Sequence, residues 1–404
     1  MLYSMKKKKV IYISNVNLEG VFLPGVIHKI NGQEKAFREN GFETDLLYPA
    51  DQGKIVLKKH KGERLLFKGG REVEIKAPFY RKLVQHYKVS QYGSIDYTNC
   101  YSVLLQEKYD AIYLRFYLPG TNLIQFLEKI RIDQPGILIL LEYPTSNIRN
   151  LFSNGIVRKI TYRMNERRIH TLNQLSDYFI TLTNDKVLWG KPALFMPNGI
   201  ELDEIEPVPV PSFTNQLVIL GVASDINFYH GFDKVIRGLS LYAKNNSQVK
   251  VLFRLISNPL SNNLAELRAL AKDSDVEELV SFESPKTRAE LAEVYQQVHL
   301  GMGTLALHRV GLSDNYSLKH REYAAFGLPF IMSKGDFHFE HSPFVLVEER
   351  NEAPLDIQRI VAFYTSLRNR YPDYPREFRK SVEHLITWEA QMKEIFDVIN
   401  NAQE

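Results

Sequence analysis

With 404 residues, 44% of them hydrophobic and 24% charged, the chain has the make-up of a globular protein large enough for two cores, and neither a disordered nor a fibrous one. A single cysteine, Cys100, excludes an internal disulfide framework and a thiolate metal cluster. The net charge of +4 hides an asymmetry: residues 1–200 carry 30 Lys and Arg against 18 Asp and Glu, and the remainder 21 against 29, so two domains with different partners are expected.

The basic start, Met1 to Lys9, leads into Val10–Asn15, an apolar stretch too short for a secretory signal. No run approaches the roughly 18 apolar residues of a membrane span. A cytoplasmic protein is expected, peripheral to the inner face of a membrane at most. Lys9–Ile13 reads as a strand, Ile27–Asn40 as a helix closed by Gly41, and Thr44–Tyr48 as a second strand. That βαβ opening predicts a parallel sheet with ligands at the carboxyl ends of its strands. Residues 54–76 read as a basic hairpin turning at Gly62 or at Gly69-Gly70. The short apolar runs at 111–114 and 137–141 fit strands buried on both faces, with a helix over Leu123–Ile132 between them. Residues 178–182 and 193–196 continue the alternation.

Glu206–Pro211, with three prolines, reads as a stiff extended linker. Beyond it the pattern restarts. Strands are expected at 217–221, 249–253, 280–282, 300–304 and 330–332, and helices at 231–245, 263–272 and 289–297. The division predicted is 1–195 and 196–385, with a final helix over 386–404 returning to the first domain.

The segment Gly311–Pro329 carries the most chemistry. A polar loop leads into a helix over Ser317–Phe326, which Gly327 ends and Pro329 forbids from continuing. Its start, from the loop residue Asn315 through Tyr316, Ser317 and Leu318 to Lys319, offers unpaired N–H groups and the positive end of the helix dipole, an anion site. Lys319 adds positive charge. Glu322, a turn further on, is placed to accept two hydrogen bonds from a diol such as a ribose. Together they predict a nucleotide-diphosphate site.

Asp314, seven residues, then Glu322 before a small-residue helix end and Gly-x-Pro resembles the E-x7-E signature of family 4 glycosyltransferases, with Asp in place of the first Glu. Pro197-Asn198-Gly199-Ile200 is similar to the turn at that family's domain junction, and Thr387-Trp388-Glu389 to its final helix. His230-Gly231-Phe232-Asp233 stands where members carry Lys-Gly, and together with Leu318–Tyr323 it resembles a branch of bacterial polysaccharide transferases. The resemblance implies the α/β GT-B fold, two Rossmann-like doubly wound domains facing a central cleft. It also implies a retaining, metal-independent transfer of a hexose-type sugar. The donor implied is a nucleotide-diphosphate sugar, with a UDP-sugar favoured, and no cofactor is expected. The acceptor implied is a glycan or lipid-pyrophosphate-linked glycan of a surface polysaccharide such as a capsule.

On this resemblance Arg309, Lys319 and His230 supply the charge that relatives take from an absent Arg and Lys pair. Gly25 brings backbone close to the donor phosphate. Glu142, directly after the strand ending at Leu141, takes the place of a catalytic-face His, to orient the acceptor hydroxyl or accept its proton, making Glu142, Asp314 and Lys319 the catalytic set. Lys29 and Arg115, the latter just past its strand, point to the acceptor side. Separately, Arg158, Lys159, Arg163, Arg167 and Arg168, interleaved with apolar residues, read as a basic amphipathic helix suited to an anionic membrane surface. Nucleic acid is not an expected partner, for no recognisable module accompanies the basic half. The rival readings are a catalytically silent partner subunit of the same fold and a non-hydrolysing sugar-nucleotide epimerase.

Overall fold

A computed structural model describes residues 7–19, 24–50, 54–68, 97–116, 120–143, 167–203, 205–245, 248–261 and 263–402. The chain forms two compact units, Met1–Pro197 with Trp388–Glu404, and Asn198–Thr387.

The first unit is built on a nine-stranded mixed sheet ordered β4-β3-β2-β1-β5-β6-β7-β9-β8. Its strands are β1 (Lys9–Ile13), β2 (Glu43–Ala50), β3 (Lys54–Lys58), β4 (Arg64–Lys68), β5 (Ala111–Arg115), β6 (Leu138–Tyr143), β7 (Tyr178–Thr181), β8 (Val187–Leu188) and β9 (Lys191–Phe195). The six strands from β2 to β9 run parallel, and β1, β5 and β6 are buried along nearly their whole length, as helices on both faces require. The basic hairpin β3–β4, antiparallel, extends the edge and turns at Gly62; Gly69-Gly70 lies outside the described residues. The first helix begins at Pro24, before the predicted Ile27, so Gly25 lies in its first turn and not in the loop ahead of it. In the C-terminal segment Trp388 is buried, and the Phe396 ring packs 5.4 Å from Phe37.

The second unit holds a six-stranded, all-parallel sheet ordered β12-β11-β10-β13-β14-β15. The strands are β10 (Gln216–Ala223), β11 (Lys250–Ser257), β12 (Val280–Glu283), β13 (Leu300–Met302), β14 (Phe330–Ser333) and β15 (Val345–Glu348). The order reverses between β10 and β13, and in such sheets the crevice outside the carboxyl ends at that switch point is where ligands bind. Helices Phe232–Ala243 and Leu318–Ala325 begin there. The proline-rich stretch at 206–211 is extended as predicted but is no free linker. Val208 N donates to Phe326 O at 2.8 Å, and Ile205 and Val208 join the core of this unit.

Candidate functional site

The loop after β10 ends in a 3-10 turn, Phe228–His230, and Gly231 then takes φ 75°, a left-handed conformation that suits glycine. The chain passes so close to the loop after β13 that a Cβ on Gly231 would fall 2.8 Å from that of Leu305. Two hydrogen bonds tie the loops together, Leu305 N to His230 O and Ala306 N to Tyr229 O. His230 is buried, stacks on Phe232 and accepts from Asn227 N through Nδ1. Burial, reinforced by the charge of Lys319, pushes its pKa down to about 2. The imidazole is neutral, so His230 brings a ring to the site and no charge.

Arg309 is also committed. Its guanidinium meets Asp233 bidentately at 2.8 and 2.9 Å, donates through Nε to Glu352 at 3.0 Å, and reaches Phe228 O at 2.7 Å. These carboxylates, Asp233 first, raise its pKa. The arginine clamps three loops.

Lys319 differs. Although the residue as a whole is partly exposed, its Nζ is enclosed, lies 5.9 Å from the centre of the Phe232 ring, and has no hydrogen-bond partner among the described residues. Burial alone lowers its pKa to about 8. An enclosed ammonium without an acceptor costs free energy unless an anion completes it. Lys319 is the second residue of a helix whose Ser317 N-cap makes no side-chain cap, so the first-turn N–H groups gain no side-chain acceptor there. Glu322, three residues on and so on the same side of the helix, is raised in pKa by burial, against the opposing pull of the Tyr295 hydroxyl and Arg288. Asp314 is half-buried and accepts from Ser313 Oγ at 3.2 Å. Asn315 N donates to Gly335 O at 2.8 Å, and Tyr316 O accepts from Asn198 Nδ2 at 2.7 Å. The structure thus brings His230, Lys319, Ser317 and Glu322 to the switch point of one sheet, with Asp314 on the adjoining loop.

Sequence reasoning passed over the cluster beneath them. Arg321 is fully buried, pairs with the equally buried Asp336, and donates to Asn198 O at 2.8 Å and to His338 Nδ1 at 2.8 Å. His320 Nδ1 stands 2.9 Å from the same carboxylate. Burial works to raise the Asp336 pKa, but Arg321, His320 and His338 outweigh it and hold it well below the carboxylate range. The signal was in Lys319-His320-Arg321-Glu322, four ionisable residues in succession on a helix inside a core. Such a run has no apolar stripe, and every one of its side chains needs a polar neighbour.

In the first unit, Glu142 and Arg115 are not beyond their strands but within them, opposite one another in the β5–β6 register. Both are buried, as is Lys29. Lys29 Nζ lies 2.9 Å from Glu142 Oε1, and Arg115 pairs with the same oxygen. Tyr113 Oη donates to Oε2 at 2.8 Å, and Gln33 Nε2 approaches it at 3.4 Å. Burial favours the neutral acid, but Arg115 and then Lys29 overcome it and lower the Glu142 pKa. Burial lowers Lys29 to about 8 against the pull of Glu142. This carboxylate is saturated by its own neighbours. Gly25 is exposed, and Arg167 and Arg168 open the described helix over 167–175, where Arg168 reaches Thr121 Oγ1 at 3.2 Å. Arg158, Lys159 and Arg163 lie outside the described residues, so the predicted basic helix is not described as a whole. Among the described residues no helix is long and apolar enough to cross a membrane.

The two-sheet architecture is the GT-B fold. The chain resembles a sucrose-phosphate synthase from Thermosynechococcus elongatus at a TM-score of 0.66 and 15% identity, covering 98% of this chain and 100% of that one. It resembles the catalytic domain of starch synthase IV from Arabidopsis thaliana, bound to ADP and acarbose, at 0.62 and 11% over 98% and 99%. An α,α-trehalose-phosphate synthase (UDP-forming) from Burkholderia xenovorans, in complex with glucose-6-phosphate, gives 0.59 and 12% over 98% and 100%. At these identities the likeness is one of fold. No protein-family model matches the chain, and no curated protein matches it in sequence.

Proposed function

We propose that the chain is a glycosyltransferase that takes a hexose-type sugar from a nucleotide-diphosphate donor held by the second unit. The observation that carries this reading is Lys319, an enclosed ammonium without an acceptor at an uncapped helix start, beside Glu322 and at the switch point of a doubly wound sheet. The diphosphate takes the Lys319 ammonium and the N–H groups of Ser317, Leu318 and Lys319, and the ribose takes Glu322. Asp314 contacts the sugar. Charge that develops on the departing diphosphate meets groups already in place, so little reorganisation is needed. The ADP and UDP chemistry named for the proteins of like fold supports a nucleotide sugar as donor.

The finer points rest on the resemblance to family 4 glycosyltransferases. These are a UDP-sugar donor, retention of configuration, independence of metal, and a glycan or lipid-linked glycan acceptor in the synthesis of a surface polysaccharide; contact of the basic segment around Arg158–Arg168 with an anionic membrane rests on its sequence pattern alone. Glu142 is the least supported of the catalytic set, because two cations and a tyrosine already occupy its oxygens.

One observation favours the silent-subunit reading: Arg309 is already paired and His230 is neutral, which leaves Lys319 as the free cation among the three. Thermal unfolding against UDP-, GDP-, dTDP- and ADP-sugars separates the two. Ligand at about 100 times its dissociation constant adds roughly 2.7 kcal/mol. A shift with one nucleotide class that is lost in Glu322→Ala is the expected result. No shift with any of them would favour the silent subunit.

A further inference from the structure

Among the large apolar side chains, Phe337 stays half exposed, on the loop that follows β14. A single exposed phenyl ring is ordinary. This one is held in place from several directions at once. Asp336, its neighbour, is gripped by Arg321 and His320 in a fully buried cluster, and His338, on its other side, accepts from Arg321. Phe339 N closes the turn on Asp336 O at 3.0 Å. Ahead of it, Gly335 takes φ 125° and its N–H donates to Glu340 Oε1 at 2.6 Å. Buried ion pairs are costly to assemble and add little net stability, so their use here reads as the fixing of a conformation.

The loop packs against the segment that carries the candidate sugar contact. Gly335 O accepts from Asn315 N at 2.8 Å, and a Cβ on Gly335 would stand 3.5 Å from the Asp314 Cα. The Phe337 ring lies 5.4 Å from Tyr316 in an edge contact and 4.4 Å from His338. An aromatic face carries partial negative charge, which attracts the polarised C–H bonds of a pyranose face. A carboxylate alongside accepts from hydroxyls at the rim of the same ring. The pairing of aromatic face and carboxylate matches a sugar on two sides.

We propose that Phe337 is a stacking platform for a pyranose ring, set beside Asp314 by the loop that the Arg321–Asp336 cluster holds. This deepens the nucleotide-sugar reading and rests on it. The ring is either the transferred sugar of the donor or a sugar of the acceptor, and the two share the chemistry.

Saturation-transfer NMR on the full chain tests this with UDP-glucose, ADP-glucose and acarbose as probes. In Phe337→Ala the signal of the glucose protons should fall roughly three- to tenfold relative to those of the base, and Phe337→Trp should restore it. Should the platform serve the acceptor, the ratio within UDP-glucose stays and the acarbose signal falls instead, again with rescue by Trp. If Phe337→Ala changes neither, or lowers base and sugar signals in equal proportion, the platform is overturned. A wild-type chain that shows no base signal at all would overturn the nucleotide reading. The acarbose arm then decides the platform alone: dependence on Phe337 keeps it, and independence or no signal overturns it. Phe337 is half exposed, so the alanine variant should melt as the wild type does, and a melting curve checks this.

Discussion

Lys29 in the first unit and Lys319 in the second have pKa values lowered to the same figure, about 8, for different reasons. Lys29 is buried and partly compensated: Glu142 lies 2.9 Å away and pulls its pKa back up against burial and Arg115. The Lys319 ammonium is enclosed and uncompensated, with desolvation as the one cause of its shift. The first lysine belongs to a finished cluster, in which one carboxylate takes contacts from Lys29, Arg115, Tyr113 and Gln33. The second belongs to an unfinished one. A perturbed pKa by itself therefore does not mark a functional group; what sets Lys319 apart is that, among the described residues, no carboxylate pairs with it.

Removing the carboxylate from the finished cluster should have the largest effect. Glu142→Gln leaves Lys29 and Arg115 buried together without an anion, and a loss of about 3–5 kcal/mol is expected, as when one partner of a buried ion pair is deleted. Urea unfolding checks it. The same variant tests whether Glu142 acts chemically. If stability holds and turnover is lost, the residue is a base and the contrast between the two clusters fails.

Lys319→Met should act in the opposite direction. With no partner to lose and a desolvated charge removed, the free protein should gain about 0.5–2 kcal/mol, in the manner of a functional residue that is held at a cost to stability. The gain must come with loss of nucleotide binding. A destabilised Lys319→Met would mean that the lysine has a structural partner after all.

How much of this was legible in the sequence follows from what makes each part. The strands of both sheets were legible because parallel strands buried on two faces must be short continuous apolar runs, as at Ala111–Leu114 and Leu217–Gly221. The helix that carries Glu322 was legible as well, since Gly327 and Pro329 mark where it must end. Strand β15 and the helices Ile357–Arg370 and Tyr374–Ile386 were missed. Val345–Glu348 is brief and half-buried, so its apolar signal is weak. The partners of Arg309, Glu142 and Arg321 were not legible at all. Asp233 and Glu352 lie 76 and 43 residues from Arg309 in sequence, and nothing local announces such a pairing. Whether a cation is free or already paired is a tertiary fact, and here it separates Lys319 from Arg309.

The smallest effect is the one that isolates each lysine. An unfolded chain holds these protons to about pH 10.4, whereas the folded one sheds them near 8. Below pH 8 both states are protonated and the full cost of burying the charge is present. Between pH 8 and 10 the unfolded state binds more protons, so stability rises with pH, by at most about 1.4 kcal/mol per pH unit for each lysine. Above that window buried tyrosines reverse the trend: Tyr48, raised by burial and by Glu19 to about 12, keeps a proton that the unfolded chain loses. Urea unfolding at pH 7, 8, 9 and 9.5 should therefore show a rise in the wild type and about half of it in Lys319→Met, the remainder belonging chiefly to Lys29, with a contribution from Lys234, whose pKa burial also lowers. Saturating nucleoside diphosphate should remove the same half, because an anion beside Lys319 returns its pKa toward the ordinary value. Lys29 serves as the internal control, its carboxylate being present with or without ligand. Equal slopes with and without the nucleotide would mean that the diphosphate does not reach Lys319, and the donor would then have to be placed elsewhere on the second unit.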